Sequence, residues 1–306
     1  MKLSEMRRLL EVHGIQLTKS LGQNFMHDGN QLRRIVAAGA VRRGDQVLEI
    51  GPGLGPLTEV LLAAGASVLA IEKDARLAAI LRERLGKEPR LTIVHADAMD
   101  EVRRRRHWGG WKVVSNLPYS VASPLLVELS QGSVSAPRGA PSTAAAEEQH
   151  SANAEMKEPP LGPDLMVATV QWEVARRIIA QAGEAEYGLL TLLLRLNYLA
   201  GEHFKIPGSC FHPAPDVDSA CIVLRRRDPL ALRREDWAWF GTIVKRAFSQ
   251  RRKMMFKLLK EDWPATVLEQ TFVELGLTLG IRAEAVEFEQ FIRLTQKLTA
   301  SSTAHE

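Results

Sequence analysis

"QVLEIGPGLGPLTEVLLAAG", residues 46–65, runs from an apolar strand through a glycine-rich turn into a helix. Val47, Leu48 and Ile50 form a short apolar run bounded by turn residues, the pattern of a buried strand. Gly51, Gly53 and Gly55 allow a sharp reversal and a close approach of backbone to a ligand. The same rhythm recurs downstream. "SVLAIE" (67–72), "LTIVHAD" (91–97) and "WKVVSN" (111–116) read as strands. "ARLAAILRERLG" (75–86) and "PLLVELS" (124–130) read as helices. Apolar strands alternating with helices predict an α/β fold built on a mainly parallel sheet covered on both faces.

The rhythm breaks at residues 131–164. Of these 34 residues, 20 are Ala, Pro, Ser, Gly or Thr, too little apolar surface to offset chain entropy, so a disordered insertion is expected. "LMVATVQ" (165–171) resumes the strands, and 172–181 and 188–200 read as helices. A final strand pair is expected at 202–207 and 219–227. Beyond Pro229 the chain reads as helical at 235–248, 253–261, 264–275 and 287–298. The expected division is a sheet domain over 1–227 and a small helical domain over 228–306, with no internal repeat.

Composition sets the partner class. The 306 residues are 45% hydrophobic and 25% charged, ordinary for a globular chain, and the net charge is only +4. That charge is unevenly spread: residues 1–43 hold eight Lys/Arg against three Asp/Glu, and residues 225–260 hold twelve against three. Basic patches in a near-neutral chain point to a polyanion. The run "RRRRH" (103–107) reads as a solvated loop, with a phosphate contact as the alternative. Cys210 and Cys221 have no metal-ligand spacing and read as buried thiols of a reducing compartment. The N-terminus lacks a signal-peptide core and no apolar run reaches 18 residues, so the expectation is a cytoplasmic protein with no membrane span and no metal.

Polar side chains gather where ligands bind such sheets. Glu72 ends the second strand, 19 residues after Gly53, where a carboxylate can take both hydroxyls of a ribose. Asp97 and Asn116 end the next two strands, so all three converge on the crevice at the carboxyl edge. A dinucleotide and S-adenosylmethionine both fit a ribose-binding acid. Pro52 and the lack of a later glycine fit the second better, and "NLPY" (116–119) decides between them. An adenine amine is a poor nucleophile. An Asn carbonyl and a backbone carbonyl at a fixed turn can hold both of its N–H groups, Pro118 can fix that turn, and Tyr119 offers a face for a flipped-out base.

The ordered motifs "GQNFMHD" (22–28), "LEIGPGLGPLT" (48–58), "AIEKD" (70–74), "HADAM" (95–99), "NLPYSVASP" (116–124), "QWEVARRI" (171–178), "FHPAPDVDSACIVL" (211–224) and "FSQRRKMM" (248–255) resemble the ribosomal RNA adenine dimethylase family. The resemblance implies a Rossmann-like S-adenosylmethionine-dependent methyltransferase sheet with a C-terminal helical domain. It implies dimethylation of the N6 amines of two adjacent adenosines near the 3′ end of small-subunit ribosomal RNA, in ribosome biogenesis, with the RNA alone or an immature small subunit as the substrate; a monomer is expected. It places Asn24, Met26, Gly51, Gly53, Glu72, Asp97, Ala98 and Asn116 around S-adenosylmethionine. The carbonyls of Asn116 and Leu117 would hold the amine, with Pro118 at the turn and Tyr119 and Phe211 sandwiching the adenine. Arg251, Arg252 and Lys253 would open a helix and contact RNA. Trp172 stands where the family usually has Lys, and the insertion at 131–164 is atypical. Two alternatives stay open: the related large-subunit dimethylase of macrolide resistance, and a non-catalytic assembly factor of the same fold.

Overall fold

A computed structural model describes residues 1–15, 24–105, 107–131 and 162–303. The expected insertion lies, from 132 to 161, outside the described residues, as do Gly22 and Gln23 of the "GQNFMHD" motif. In chain order the elements are α1 (Leu3–Val12), β1 (Phe25–Met26), α2 (Gly29–Ala38), β2 (Gln46–Ile50), α3 (Pro56–Ala63), β3 (Ser67–Glu72) and α4 (Ala75–Leu85). Next come β4 (Leu91–His95), α5 (Ala98–Arg105), β5 (Trp111–Asn116), α6 (Ala122–Gln131), β6 (Leu165–Gln171), α7 (Trp172–Ile179) and α8 (Leu189–Arg195). The chain continues through β7 (Tyr198–Ile206), β8 (Phe211–His212), β9 (Ser219–Arg226), α9 (Trp237–Ala247), α10 (Met255–Leu259), α11 (Ala265–Glu274) and α12 (Phe288–Thr303).

Among the described residues, seven strands make one sheet in the order β4-β3-β2-β5-β6-β9-β7. Pairings from β4 to β6 are parallel, and β9 runs antiparallel between β6 and β7. The parallel half follows from the helical crossovers, which return each strand to the same starting edge. Strand order reverses between β2 and β5, and that switch point opens a crevice at the carboxyl edge. Local chemistry fixes the helix starts that face it. Asp28 accepts from the backbone N–H groups of Asn30 and Gln31 at 2.9 Å, and Asp74 caps α4 through Arg76 N–H. Pro56 sits at the first turn of α3, where its missing N–H costs nothing.

The contacts divide the chain into two compact units, which are described separately. The first holds the sheet, from Met1 to β5 and α6, then to Arg176, then Tyr198–Arg226. Its core includes Leu32, Ile35, Val47, Leu61, Val114, Val167 and Val223. The second unit contains Arg177–Asn197 and the chain from Arg227 onward, around Leu192, Leu196, Phe240, Ile243, Leu259, Phe272 and Phe291. The linear division at 227 therefore misses residues 177–197. Leu192 and Leu196 pack with Trp237 and Phe240, and the Tyr187 hydroxyl donates to Val286 O at 2.9 Å.

Other departures have local causes. The expected helix over 188–200 stops at Arg195, because Tyr198 already pairs with Arg226 and its buried hydroxyl donates to Pro163 O at 2.6 Å. The loop expected at 103–107 is, over Arg103–Arg105, the last turn of α5. Arg103 and Arg104 pair with Glu128 and Glu101, while the Arg105 guanidinium lies against the rings of Trp108 and Trp111. Arg251, Arg252 and Lys253 precede α10 rather than opening it, in a turn closed by Lys253 N–H on Gln250 O at 2.9 Å. Cys210 and Cys221 are free and buried, as expected.

Candidate active site

At the switch point the chain encloses a cavity of about 330 Å³ in the sheet unit. Its apolar walls include Ile50, Ile71, Leu77, Val121 and Leu125, and polar side chains converge on it from the ends of three parallel strands, β3, β4 and β5. That combination, apolar walls with a few fixed polar groups, is the general character of a small-molecule site.

The glycine turn forms one wall. Gly51 and Gly53 have φ of 67° and 57°, a region that side chains rarely enter. A Cβ on Gly53 would fall 2.3 Å from Phe25 Cε1, and one on Gly51 would fall 3.1 Å from Pro118 Cγ. Glu72 fastens this turn to the end of β3. Its Oε2 accepts from Gly53 N–H at 3.0 Å and its Oε1 from Asp74 N–H at 2.9 Å. Burial raises the pKa of Glu72 above its usual range, and the backbone donors oppose that rise. Neighbouring Glu49 is fully buried, accepts from Thr58 Oγ1 at 2.6 Å, and is pushed up to about 8 by desolvation.

Asp97 lies two residues beyond β4, where its Oδ1 accepts from Met99 N–H at 2.8 Å and so caps α5. Its Oδ2 pairs with Lys73 Nζ at 2.8 Å. The hydrogen bond from Lys73 outweighs desolvation and holds this carboxyl below its usual range.

Asn116, the last residue of β5, forms the innermost polar group. Its Nδ2 donates to Asn24 O at 2.9 Å. Its Oδ1 is buried without a hydrogen-bond partner, a costly arrangement unless a ligand donor completes it. Leu117 N–H donates to Thr169 O at 3.2 Å, and Pro118 O accepts from Val121 N–H at 3.1 Å, so the turn is fixed at both ends. The Tyr119 hydroxyl shares a 2.5 Å hydrogen bond with Ser219 Oγ.

Ten of the residues expected from the sequence line this one cavity. Asn24, Gly51, Gly53, Glu72 and Asp97 do so, together with Ala98, Asn116, Leu117, Pro118 and Tyr119. Met26 and Phe211 do not. They pair with each other across the β1–β8 ladder and are 1% and 3% exposed, packed into the sheet core. Strand alternation turns Phe25 to the cavity in place of Met26, which the position of Met26 in its motif could not reveal. Arg251, Arg252 and Lys253 belong to the helical unit. Lys73, Leu77 and Met99 line the cavity and were missed. Lys73 was legible in "AIEKD", because a cation placed after a strand-end carboxylate faces the same crevice. Among the described residues no group of three or more metal-ligating side chains occurs, and no helix is long and apolar enough to cross a membrane.

The sequence model of the family described as "Ribosomal RNA adenine dimethylase" matches residues 14–300. "Ribosomal RNA small subunit methyltransferase A" of Chlamydia felis (strain Fe/C-56) is 34% identical over 296 residues, covering 97% of this chain and 94% of that protein. The protein of the same description from Gloeobacter violaceus (strain ATCC 29082 / PCC 7421) is 37% identical, covering 92% of this chain and 94% of that protein. Among solved structures, a dimethyladenosine transferase from Plasmodium falciparum has a TM-score of 0.69 at 20% identity, covering 91% of this chain and 98% of that one. The 23S rRNA methyltransferase ErmE has a TM-score of 0.60 at 24% identity, covering 90% and 100%. The two solved structures share the fold, and the family match spans the crevice, the strand-end carboxylates and the Asn-Leu-Pro-Tyr turn: the chain belongs to the ribosomal RNA adenine dimethylase family.

Proposed function

We propose that this enzyme dimethylates the N6 amines of two adjacent adenosines near the 3′ end of small-subunit ribosomal RNA, acting as a cytoplasmic monomer on a partly assembled subunit. The observation that carries this reading is the unpartnered, buried Oδ1 of Asn116 beside a cavity lined by two glycines and three carboxylates.

The residues fit S-adenosylmethionine. The tight approach of Gly53 to Phe25 leaves room for a ligand only because no Cβ is present, and Glu72 keeps acceptor capacity beyond the backbone donors of Gly53, Lys73 and Asp74. Glu72 would hold the ribose hydroxyls, and Asp97, kept ionised by Lys73, would accept from the adenine amino group. When bound, S-adenosylmethionine supplies an electrophilic methyl group on its sulfonium. Asn116 Oδ1 and the Leu117 carbonyl would accept the two N–H groups of the target amine and orient its nitrogen, so positioning supplies much of the rate. Tyr119, held by Ser219, would stack on the target base. Phe211 lies in the core and contributes no second face. The helical unit, with Arg251, Arg252 and Lys253, would grip ribosomal RNA. The test is methyl transfer from labelled S-adenosylmethionine to immature small subunits against free large-subunit RNA. Transfer to the first substrate only is expected, and preference for the second would overturn the substrate assignment.

A further inference from the structure

Beside the cavity, on the β9 side, lies a surface that the methyl-transfer reading leaves unused. Ser219, which holds the Tyr119 hydroxyl, pairs with Gln171 across the β6–β9 ladder. The next residue after Gln171 is Trp172, whose backbone N–H donates to Asp218 O at 2.8 Å. Trp172 thus lies one residue from the pair that anchors Tyr119. Its indole is only half-buried. Lys205, exposed on β7, places its Nζ 4.5 Å from the indole centroid. It arrives there because Lys205 pairs with Ala220, the residue after Ser219. Val217, 49% exposed, adds apolar surface next to Asp218.

A half-buried Trp under a lysine is often just packing, but the surrounding charge argues for a ligand of one kind. Asp216 and Asp218 are exposed on the loop beside the indole, and Glu173 follows it on α7. Those acids disfavour a phosphate lying over the indole itself, so a neutral, flat group is the matching occupant of the ring and Lys205 is the group suited to a neighbouring phosphate.

We propose that Trp172 and Lys205 form a second base subsite, which stacks the nucleotide adjacent to the adenosine whose amine enters the cavity. The proposal rests on the adenine-methylation reading above. A base that leaves the stack deprives its neighbour of a partner, and an indole restores that contact. Lys205, held over the ring by a cation–π contact, carries the charge suited to the phosphate joining the two nucleotides.

The experiment uses the full chain and a short RNA hairpin with two adjacent loop adenosines, one of them replaced by 2-aminopurine. Trp172→Ala should weaken hairpin binding roughly 5- to 150-fold and abolish the fluorescence quench of the 2-aminopurine. Affinity for S-adenosylhomocysteine should stay at the wild-type level, which also reports that the variant is folded. Trp172→Phe should retain most of the quench, and Lys205→Met should lower the salt slope of binding by about one unit. Unchanged hairpin affinity and quench in Trp172→Ala would overturn the subsite. Failure of the methylation reading looks different: the wild-type protein would quench the probe yet transfer no labelled methyl group, so the subsite would stand without it.

Discussion

Asn116 is tethered through its amide nitrogen and open at its oxygen, so its side chain is already oriented before any substrate arrives. Asn116→Ala removes that acceptor while leaving the walls of the cavity in place. Turnover should fall about 100- to 1,000-fold, the scale of losing one preorganised polar contact at a reacting centre, with RNA affinity kept; near-normal turnover would remove the residue from the chemistry. Glu49 makes a pH prediction. Its folded pKa, about 8, lies above the ordinary carboxylate value, so between pH 4.5 and 8 the folded state binds a proton that the unfolded state has released. Stability attributable to this group is therefore greatest below that window and declines as pH rises through it. Glu49→Gln, which can still accept from Thr58, should raise the melting temperature more at pH 8.5 than at pH 5, and an equal shift at both would show that Glu49 stays ionised. At this scale the sequence announced the polar strand ends Glu72, Asp97 and Asn116, because a parallel sheet aligns them by topology. It could not announce that Phe211 and Met26 face the core, because a two-residue ladder has no alternation to read.

The glycine turn and the turn before α10 carry predictions as elements. Gly53→Ala combines a positive φ with a Cβ placed against the Phe25 ring. Ring displacement into the cavity should lower S-adenosylhomocysteine affinity by about tenfold or more, since one 1.4 kcal/mol change is tenfold; calorimetry giving an unchanged constant would mean the ring moves outward instead. In the second turn, Arg251 is partly engaged, bonding Ala185 O and lying 3.6 Å from Glu284. Arg252 and Lys253 are exposed and, among the described residues, make no ion pair. The triple Ala variant should therefore flatten the salt dependence of subunit binding by about two units rather than three. A slope unchanged from wild type would assign this turn to solvent. Strands β2 to β6 were legible because each apolar run ends in a glycine or a polar residue. The α8–β7 boundary was not, because "LLTLLLRLNYLA" is apolar throughout and the strand is specified by a distant partner, Arg226. Helices α1, α2 and α5 were overlooked for the opposite reason: their buried residues are few, such as Met6 and Leu10 in α1 and Val102 in α5.

For the molecule as a whole, the sheet sends α6 from the crevice back to the opposite edge, where Gln131 ends it and Gly162 precedes β6. Joining Ser133 to Pro160 through a short Gly-Ser linker should leave S-adenosylhomocysteine affinity and turnover on an isolated RNA near wild-type, because closing a loop costs little more when it is long. Loss of turnover in the folded variant would place the segment in the active site, and loss confined to whole subunits would make it a docking element. The two basic patches read from the sequence remain the guide to which surface meets RNA, whereas the assignment of 177–197 to the helical unit needed three-dimensional contacts such as Tyr187 with Val286. One further property follows from the two buried thiols. Both thiols are buried, and burial raises them, Cys221 to about 12, which disfavours the reactive thiolate at either position. Maleimide dyes will therefore ignore them, and cysteines introduced at exposed Leu199 and Val273, one in each unit, become an addressable pair for single-molecule distance measurements without stripping the native residues first.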